Sequence, residues 1–231
     1  MISIIIPAYN EEKNIGKLTA YLKENTASDK AEIIVVDGGS KDQTTAEAES
    51  AGAKVLNSPK KGRAGQMNFG AKHAKGDVFY FLHSDTRPPK TFVNDISREL
   101  NEGSQCGCFR LKFDQDHKIL NFYSWFTRFD IDLFRFGDQS LFVKRELFEK
   151  TGGFDEKLMV MEDQEIVSRL KDHAQFSIIS KPVTTSARKY QKIGVFQLQM
   201  IFSIIVCLFY LKISQETIVH YYRAVIDSQP G

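Results

Sequence analysis

Three short stretches of this sequence set carboxylates directly behind runs of Ile, Val and Phe: ISIIIPAYNEE, EIIVVDGGSKDQT and DVFYFLHSDT. A carboxylate in that place is a cap or turn residue, or a ligand for a hard cation, a ribose hydroxyl or a base N–H. Asp85 ends the third run behind His83 and Ser84. It could cap TRPPKTFVNDISREL, where Pro88 or Pro89 suits a first helical turn, or it could hold Mg²⁺ or Mn²⁺ and through it a diphosphate. Asp37 is followed by Gly38 and Gly39, which permit a tight turn and close backbone approach to a ligand. Glu11 and Glu12 are equally readable as favourable anions near a helix N-terminus.

Two further stretches carry charge at useful places. KKGRAGQ, with Lys60, Arg63 and Gln66, is either a solvated charge run or a phosphate contact. In MEDQEIVSRL, Glu162 and Asp163 open a helical pattern, where acidic residues are ordinary; a carboxylate there could also act as general base toward a hydroxyl. Arg188, Lys189 and Lys192 form a basic cluster ahead of an apolar segment.

The elements that must position these groups follow from periodicity. Apolar runs at residues 2–6, 33–36 and 78–82 alternate with helical spacing, such as Ile15, Leu18 and Leu22, and residues 46–51 suggest a second helix before the short strand KVLN. This βαβ rhythm implies a parallel sheet covered on both faces, with ligands outside the carboxyl ends of the strands. All three acidic stretches then meet on one rim. From about residue 106 the rhythm changes: CGCFRLKF reads as an antiparallel strand, and an α+β half is grafted onto the same sheet.

The chain has 231 residues, 42% hydrophobic and 12% aromatic, enough for a substantial core. With 31 basic and 29 acidic side chains, a net charge of +2 gives no nucleic-acid footprint. The three cysteines are an odd number and no cleavable leader precedes MISIIIP, so a reducing cytoplasm is expected. Cys106 and Cys108 would share one strand face as buried thiols, since no second Cys/His pair completes a zinc set. Phe122, Tyr123, Trp125, Phe126, Phe129 and Phe134 read first as core; exposed, they could stack on a sugar or dip into lipid. The apolar stretch at residues 200–211 falls short of the roughly 20 residues of a membrane span, so a buried or interfacial helix is expected.

PAYNEE, VVDGGSKDQT, KKGRAGQMNFGA, FLHSDT and MEDQEIVSRL, in this order across about residues 1–172, resemble the family 2 glycosyltransferases with the GT-A fold. GDQSLFVKRELFEKTGGF, TTSARKY and the terminal YLKIS and YYRAV are similar to the bacterial selenodomain-associated subgroup. The resemblance implies an α/β fold with a mostly parallel central sheet, helices on both faces and C-terminal helices. Residues 1–105 would form the nucleotide-sugar half, 106–187 the acceptor-side half, and 188–231 a helical appendage in contact with a membrane.

It also implies roles. Pro7, Ala8, Tyr9 and Glu11 would line the base and ribose pocket, Asp37 would contact base or ribose, and Lys60, Arg63 and Gln66 would support the nucleotide. Asp85 matches the final aspartate of the Asp-x-Asp metal signature, Asp163 the catalytic base with Glu162 as its less favoured substitute, and Gly137, Asp138 and Gln139 the acceptor-side wall. By composition alone Asp138 is as readily a turn residue. His83 stands where the family usually has the first aspartate; imidazole suits Mn²⁺ better than Mg²⁺, and hydrogen bonding to the sugar nucleotide, with Ser84 beside it, is its expected role. Arg188 and Lys189 would close over the diphosphate, or anchor the next helix at an anionic membrane.

The implied activity is inverting, metal-dependent transfer (Mn²⁺ or Mg²⁺) from a UDP- or GDP-sugar to a sugar or lipid acceptor. A polyprenyl-phosphate acceptor at the inner face of the cell membrane, or a non-catalytic nucleotide-sugar sensor, are the alternatives. A sugar nucleotidyltransferase is disfavoured because no glycine-rich phosphate loop lies near the amino terminus.

Overall fold

The computed structural model describes residues 1–27, 29–135 and 137–227. Its strands are β1 (Ile2–Ala8), β2 (Ala31–Asp37), β3 (Lys54–Asn57), β4 (Val78–Phe81), β5 (Thr86–Arg87), β6 (Cys106–Phe113), β7 (Leu141–Lys144) and β8 (Phe176–Thr185). They form one sheet in the order β3-β2-β1-β4-β7-β6-β8-β5. The sheet is mostly parallel: β1 runs parallel to β2 and β4, β2 to β3, and β6 to β8. β7 runs antiparallel to β4 and β6, and β5 to β8. The expectation that CGCFRLKF is simply antiparallel is corrected by this register. β6 is antiparallel to β7 only at Cys106 and Gly107, and it pairs in parallel with β8 along its whole length.

Seven helices cover the sheet: α1 (Ile15–Glu24), α2 (Thr44–Ser50), α3 (Arg63–His73), α4 (Phe92–Asn101), α5 (Lys118–Trp125), α6 (Arg145–Lys150) and α7 (Glu162–Lys171). All of β1 is buried, as an inner strand with both faces covered must be. Its side chains alternate between two cores. Ile4 and Ile6 join Leu18 and Leu22 of α1 and Phe92 and Ile96 of α4. Ile5 joins Met67 of α3, Phe148 of α6 and Ile166 of α7 on the other face. Each such side chain contributes about 1.5–3 kcal/mol on burial, so the two cores fix the sheet between them.

The register brings the chemistry together. Ala8 stands opposite Asp37, Ile5 opposite Phe81, and the Leu82 N–H donates to the Ile5 carbonyl. PAYNEE, DGGSKDQ and HSD therefore leave the sheet along one edge. Gly70 sets the height of α3 over that edge. A β-carbon there would stand 2.5 Å from Ile5 Cγ2 and 2.9 Å from Val36 Cγ2, so only glycine lets the helix that begins at Arg63 lie this close to β1 and β2. One expectation is corrected here too: α4 begins at Phe92 behind Thr91, so Asp85 does not cap it and Pro88 and Pro89 precede its first turn.

The aromatic segment departs from its core reading. Phe122, Tyr123, Trp125 and Phe129 are exposed, and only Phe126 and Phe134, 5.1 Å apart, are half-buried against each other. The cause is local: α5 buries Leu120 alone, so the rest of its side chains face outward. At the C-terminal end, α8 (Arg188–Ile193), α9 (Val195–Tyr210) and α10 (Gln215–Asp227) share a small core of Ile193, Leu198, Ile201, Ile205 and Ile218. The other face of α9 is open, with Phe196 72% exposed. With 16 residues, α9 is about 24 Å long; among the described residues no helix is long and apolar enough to cross a membrane.

Candidate active site

Asp37 ends β2, and its Oδ2 accepts from the N–H groups of Gly39 and Ser40, both at 2.9 Å. Its Oδ1 is buried and has no hydrogen-bond partner. A carboxylate held by its own turn, with one oxygen bare, is an acceptor waiting for a donor. Tyr9 stands exposed, after the buried Pro7 and Ala8, and Ala8 is the residue paired with Asp37. Asn10, with φ 53°, turns the chain so that its own N–H meets Ser40 Oγ at 2.9 Å, which ties the two loops together.

Gln66 lies differently from a nucleotide contact. The buried Gln66 amide donates to the carbonyls of Ala8 (2.9 Å) and Val36 (2.7 Å), strapping β1 to β2. Lys60 is exposed and ion-paired with Glu156, which also accepts from Asn68.

The third loop supplies His83, the buried Ser84, and Asp85. His83 Nδ1 lies 3.1 Å from Oδ1 of Asp138, in the short turn Gly137–Gln139 on the far side of the cleft. Burial alone would lower His83, but the Asp138 hydrogen bond holds it above its ordinary value. Burial works against Asp138 as well, and the His83 hydrogen bond, with Lys189 and Arg63 nearby, holds its carboxyl below the usual range. Burial raises Asp85, and the Asp138 charge adds to it. One donor atom from each of His83, Asp85 and Asp138 falls within 4.8 Å of the others.

Two arginines gather the remaining carboxylates. Arg188, at the start of α8, grips both oxygens of Glu11 and reaches Asp85 Oδ2 at 3.2 Å. Arg63 Nε stands 2.7 Å from Oε1 of the fully buried Glu162, and its Nη2 lies 3.9 Å from Asp163 Oδ2. Burial, then the Asp163 carboxylate, push Glu162 upward. Asp163 lines the cleft with His83, Gly137, Met67, Phe81 and Arg135.

Sequence reasoning missed Arg135. It is 2% exposed and donates to the carbonyls of Thr127 (2.9 Å) and Phe129 and to Gln139 Oε1 (3.4 Å). It pins the aromatic segment to the wall of the cleft. An arginine flanked by phenylalanines in DLFRFGD was the available signal. Glycine at 137 also carries more than a turn: a β-carbon there would clash with Asp163 Oδ2 at 2.1 Å and His83 Cε1 at 2.7 Å. Cys106 and Cys108 are buried free thiols, and burial pushes them up to about 12 and about 11.

An edge of acidic loops on a mostly parallel sheet, faced by a carboxylate-bearing helix, defines a GT-A type nucleotide-diphospho-sugar transferase fold. S. aureus TarS in complex with UDP-GlcNAc superposes with a TM-score of 0.69 at 22% identity, over 80% of this chain and 58% of that one. The mannosyltransferase PcManGT of Pyrobaculum calidifontis, in complex with GDP-Man and Mn²⁺, gives 0.66 at 18% over 85% and 62%. Residues 3–153 match the family described as glycosyl transferase family 2, and the chain belongs to that family. An uncharacterised glycosyltransferase of Rickettsia typhi is 31% identical over 182 residues, 72% of this chain and 57% of its own. A dolichol-phosphate mannosyltransferase of Pyrococcus furiosus is 30% identical over 108 residues, 45% of this chain. The chain spans 31% and 57% of these two curated relatives' lengths.

Proposed function

We propose that this chain transfers a sugar from a UDP- or GDP-sugar to an acceptor hydroxyl, with inversion at the anomeric carbon. The observation that carries the reading is the crowding at Gly137: a β-carbon there would stand 2.1 Å from Asp163 Oδ2 and 2.7 Å from His83 Cε1, so the carboxylate and the imidazole converge on one point of the cleft. A base and a donor-binding rim thus share one cleft. In this reading residues 1–105 hold the donor, 106–187 shape the acceptor side, and 188–231 add the helical appendage.

Asp37 Oδ1, buried and unpartnered, accepts from the base or a ribose hydroxyl, with the Tyr9 ring alongside. The acceptor hydroxyl gives its proton to Asp163 as its oxygen attacks the anomeric carbon from the side opposite the diphosphate. The bonding pair of the broken C–O bond leaves with the diphosphate. Arg63, Arg188 and Lys189 offset that negative charge. A divalent cation suits the carboxylate and imidazole donors on the rim; Asp85 would hold it, and it would neutralise charge on the departing diphosphate.

The test is a calorimetric panel of UDP, GDP and their sugars with and without Mn²⁺. Binding of one nucleotide, strengthened by Mn²⁺ and lost in Asp85→Ala, supports the donor class. Failure of a folded protein to bind any of them would overturn the transferase reading and leave the fold as ancestry.

A lipid-linked acceptor is favoured by two groups of exposed apolar side chains. Phe122, Trp125, Phe129 and Leu133 lie in and after α5, and Phe196 and Met200 on α9 with Leu211 just after it. Gln164 of α7 donates to the Leu133 carbonyl at 3.4 Å, so the first group adjoins the helix that carries Asp163. The P. furiosus relative is named for a dolichol-phosphate substrate.

A further inference from the structure

We propose that the cation site of this chain is a mixed set, His83, Asp85 and Asp138, and that it selects Mn²⁺ and similar nitrogen-tolerant ions over Mg²⁺. The inference rests on the donor-site reading above and deepens it. The sequence placed a cation on Asp85 and gave His83 to the nucleotide sugar; Asp138, 53 positions further on, had no part in it.

Three observations carry the proposal. The lost carboxylate of the Asp-x-Asp pattern is replaced in space, because Asp138 comes back to the imidazole from the opposite wall at 3.1 Å. Two ligands side by side on an octahedral ion with bonds of about 2.1–2.2 Å stand about 3 Å apart. The His83–Asp138 separation matches that edge. The donors of all three residues lie within 4.8 Å, while opposite ligands on such an ion are about 4.2–4.4 Å apart. Asp85 is held by Arg188 Nη2 at 3.2 Å, a contact that a bound cation would replace. Two carboxylates and a neutral imidazole balance a 2+ ion. One nitrogen in the set weakens it for Mg²⁺, which favours oxygen, and leaves it serviceable for Mn²⁺, Co²⁺ or Zn²⁺.

The set also spans the cleft. His83 and Asp85 follow β4, whereas Asp138 sits in the turn before β7. An ion bound there would hold the acceptor-side turn against the donor rim, and Arg188 would be released from Asp85 toward the diphosphate.

The experiment is Mn²⁺ titration of the full chain by electron paramagnetic resonance, with pulsed detection of ¹⁴N coupling, in the absence and presence of UDP or GDP. Expected are a single Mn²⁺ site with directly bonded nitrogen, loss of the nitrogen signal in His83→Ala, and at least tenfold weaker Mn²⁺ binding in both His83→Ala and Asp138→Asn. His83→Asp, which restores the usual carboxylate, should shift the Mn²⁺ over Mg²⁺ preference at least tenfold toward Mg²⁺. Thermal melts of each variant confirm that it is folded. A Mn²⁺ site that lacks ¹⁴N coupling, or that depends on Asp85 but not on His83 or Asp138, would overturn the proposal, as would no Mn²⁺ binding with or without nucleotide. Nucleotide binding is read separately: a His83-dependent Mn²⁺ site in a protein that binds neither UDP nor GDP sinks the donor reading and leaves the ligand set standing.

Discussion

A β-carbon placed on Gly137 would lie 2.1 Å from Oδ2 of Asp163 and 2.7 Å from Cε1 of His83. Glycine is required by contact, because the space a β-carbon would fill at residue 137 is already taken by the Asp163 carboxylate and the His83 ring. Gly137→Ala should therefore displace Asp163 or His83 by most of an ångström. A displacement of that size can cost about 100-fold in rate. Steady-state transfer assays should show a fall in kcat of that order with nucleotide affinity changed far less. An unchanged kcat would mean that Asp163 is not the base.

Arg188 offers a contrasting test. Its guanidinium is partly exposed and grips Glu11 and Asp85, so its removal should cost little stability, about 0–1 kcal/mol as for other exposed ion pairs. If it turns to the diphosphate when donor binds, Arg188→Ala should raise the donor KM or lower kcat about tenfold or more while the thermal midpoint stays nearly constant. A variant that melts much earlier and turns over normally would make Arg188 a structural clasp instead.

The strands and their acidic ends were legible because β1, β2 and β4 are continuous apolar runs, the pattern that burial on both faces of a parallel sheet imposes. What could not be read were pairings between distant positions. Gln66 looked like a donor contact because it follows a basic loop, yet its amide is spent on the Ala8 and Val36 carbonyls. Asp138 read as part of an acceptor-side wall or as a turn residue, because nothing local ties it to His83, 55 residues earlier. The aromatic segment looked like core because composition counts rings, whereas exposure depends on whether another element packs over them. Three of the four described non-glycine residues with positive φ, Asn10, Ser140 and Met161, sit beside PAY, GDQ and Glu162-Asp163. Such backbone clusters at functional sites and follows from tertiary packing, not from local preference.

Gln66→Ala should therefore act on stability. It leaves two buried carbonyls short of a donor and should cost about 1–3 kcal/mol, read as a lower midpoint in urea unfolding. Residual nucleotide affinity in the folded fraction should be near that of the parent.

Glu162 gives a pH test. Burial and the Asp163 charge push it from 4.5 to about 7. A carboxyl whose folded value is raised binds its proton more tightly in the native state, so it costs nothing below the unfolded value. Stability then falls as pH rises from about 4.5 to 7, and the cost is full above that. Glu162→Gln removes the titration. The variant should gain on the parent by on the order of 2–3 kcal/mol between pH 5 and 8, measured by chemical unfolding at each pH. A constant difference across that range would mean that the Arg63 partner keeps Glu162 ionised throughout.

The exposed apolar side chains make the last prediction. Phe122 and Trp125 project from α5 with Lys118 at its start, and the Arg128 guanidinium lies 4.5 Å over the Trp125 ring. Aromatic rings with interleaved cations suit the boundary between lipid headgroups and acyl chains. Each ring buried there contributes about 1.5–3 kcal/mol, enough for two or three together to hold a protein at a surface. In flotation with vesicles containing anionic lipid at low salt, the full chain should rise with the vesicles. The double variant Phe122→Ser with Trp125→Ser should stay at the bottom, while its binding of UDP or GDP matches the parent's. Because neither ring is among the residues proposed to hold the donor, loss of flotation without loss of nucleotide binding would separate acceptor delivery from donor chemistry. If the parent chain does not float, the lipid-linked acceptor loses its structural support, and a soluble sugar becomes the acceptor to seek.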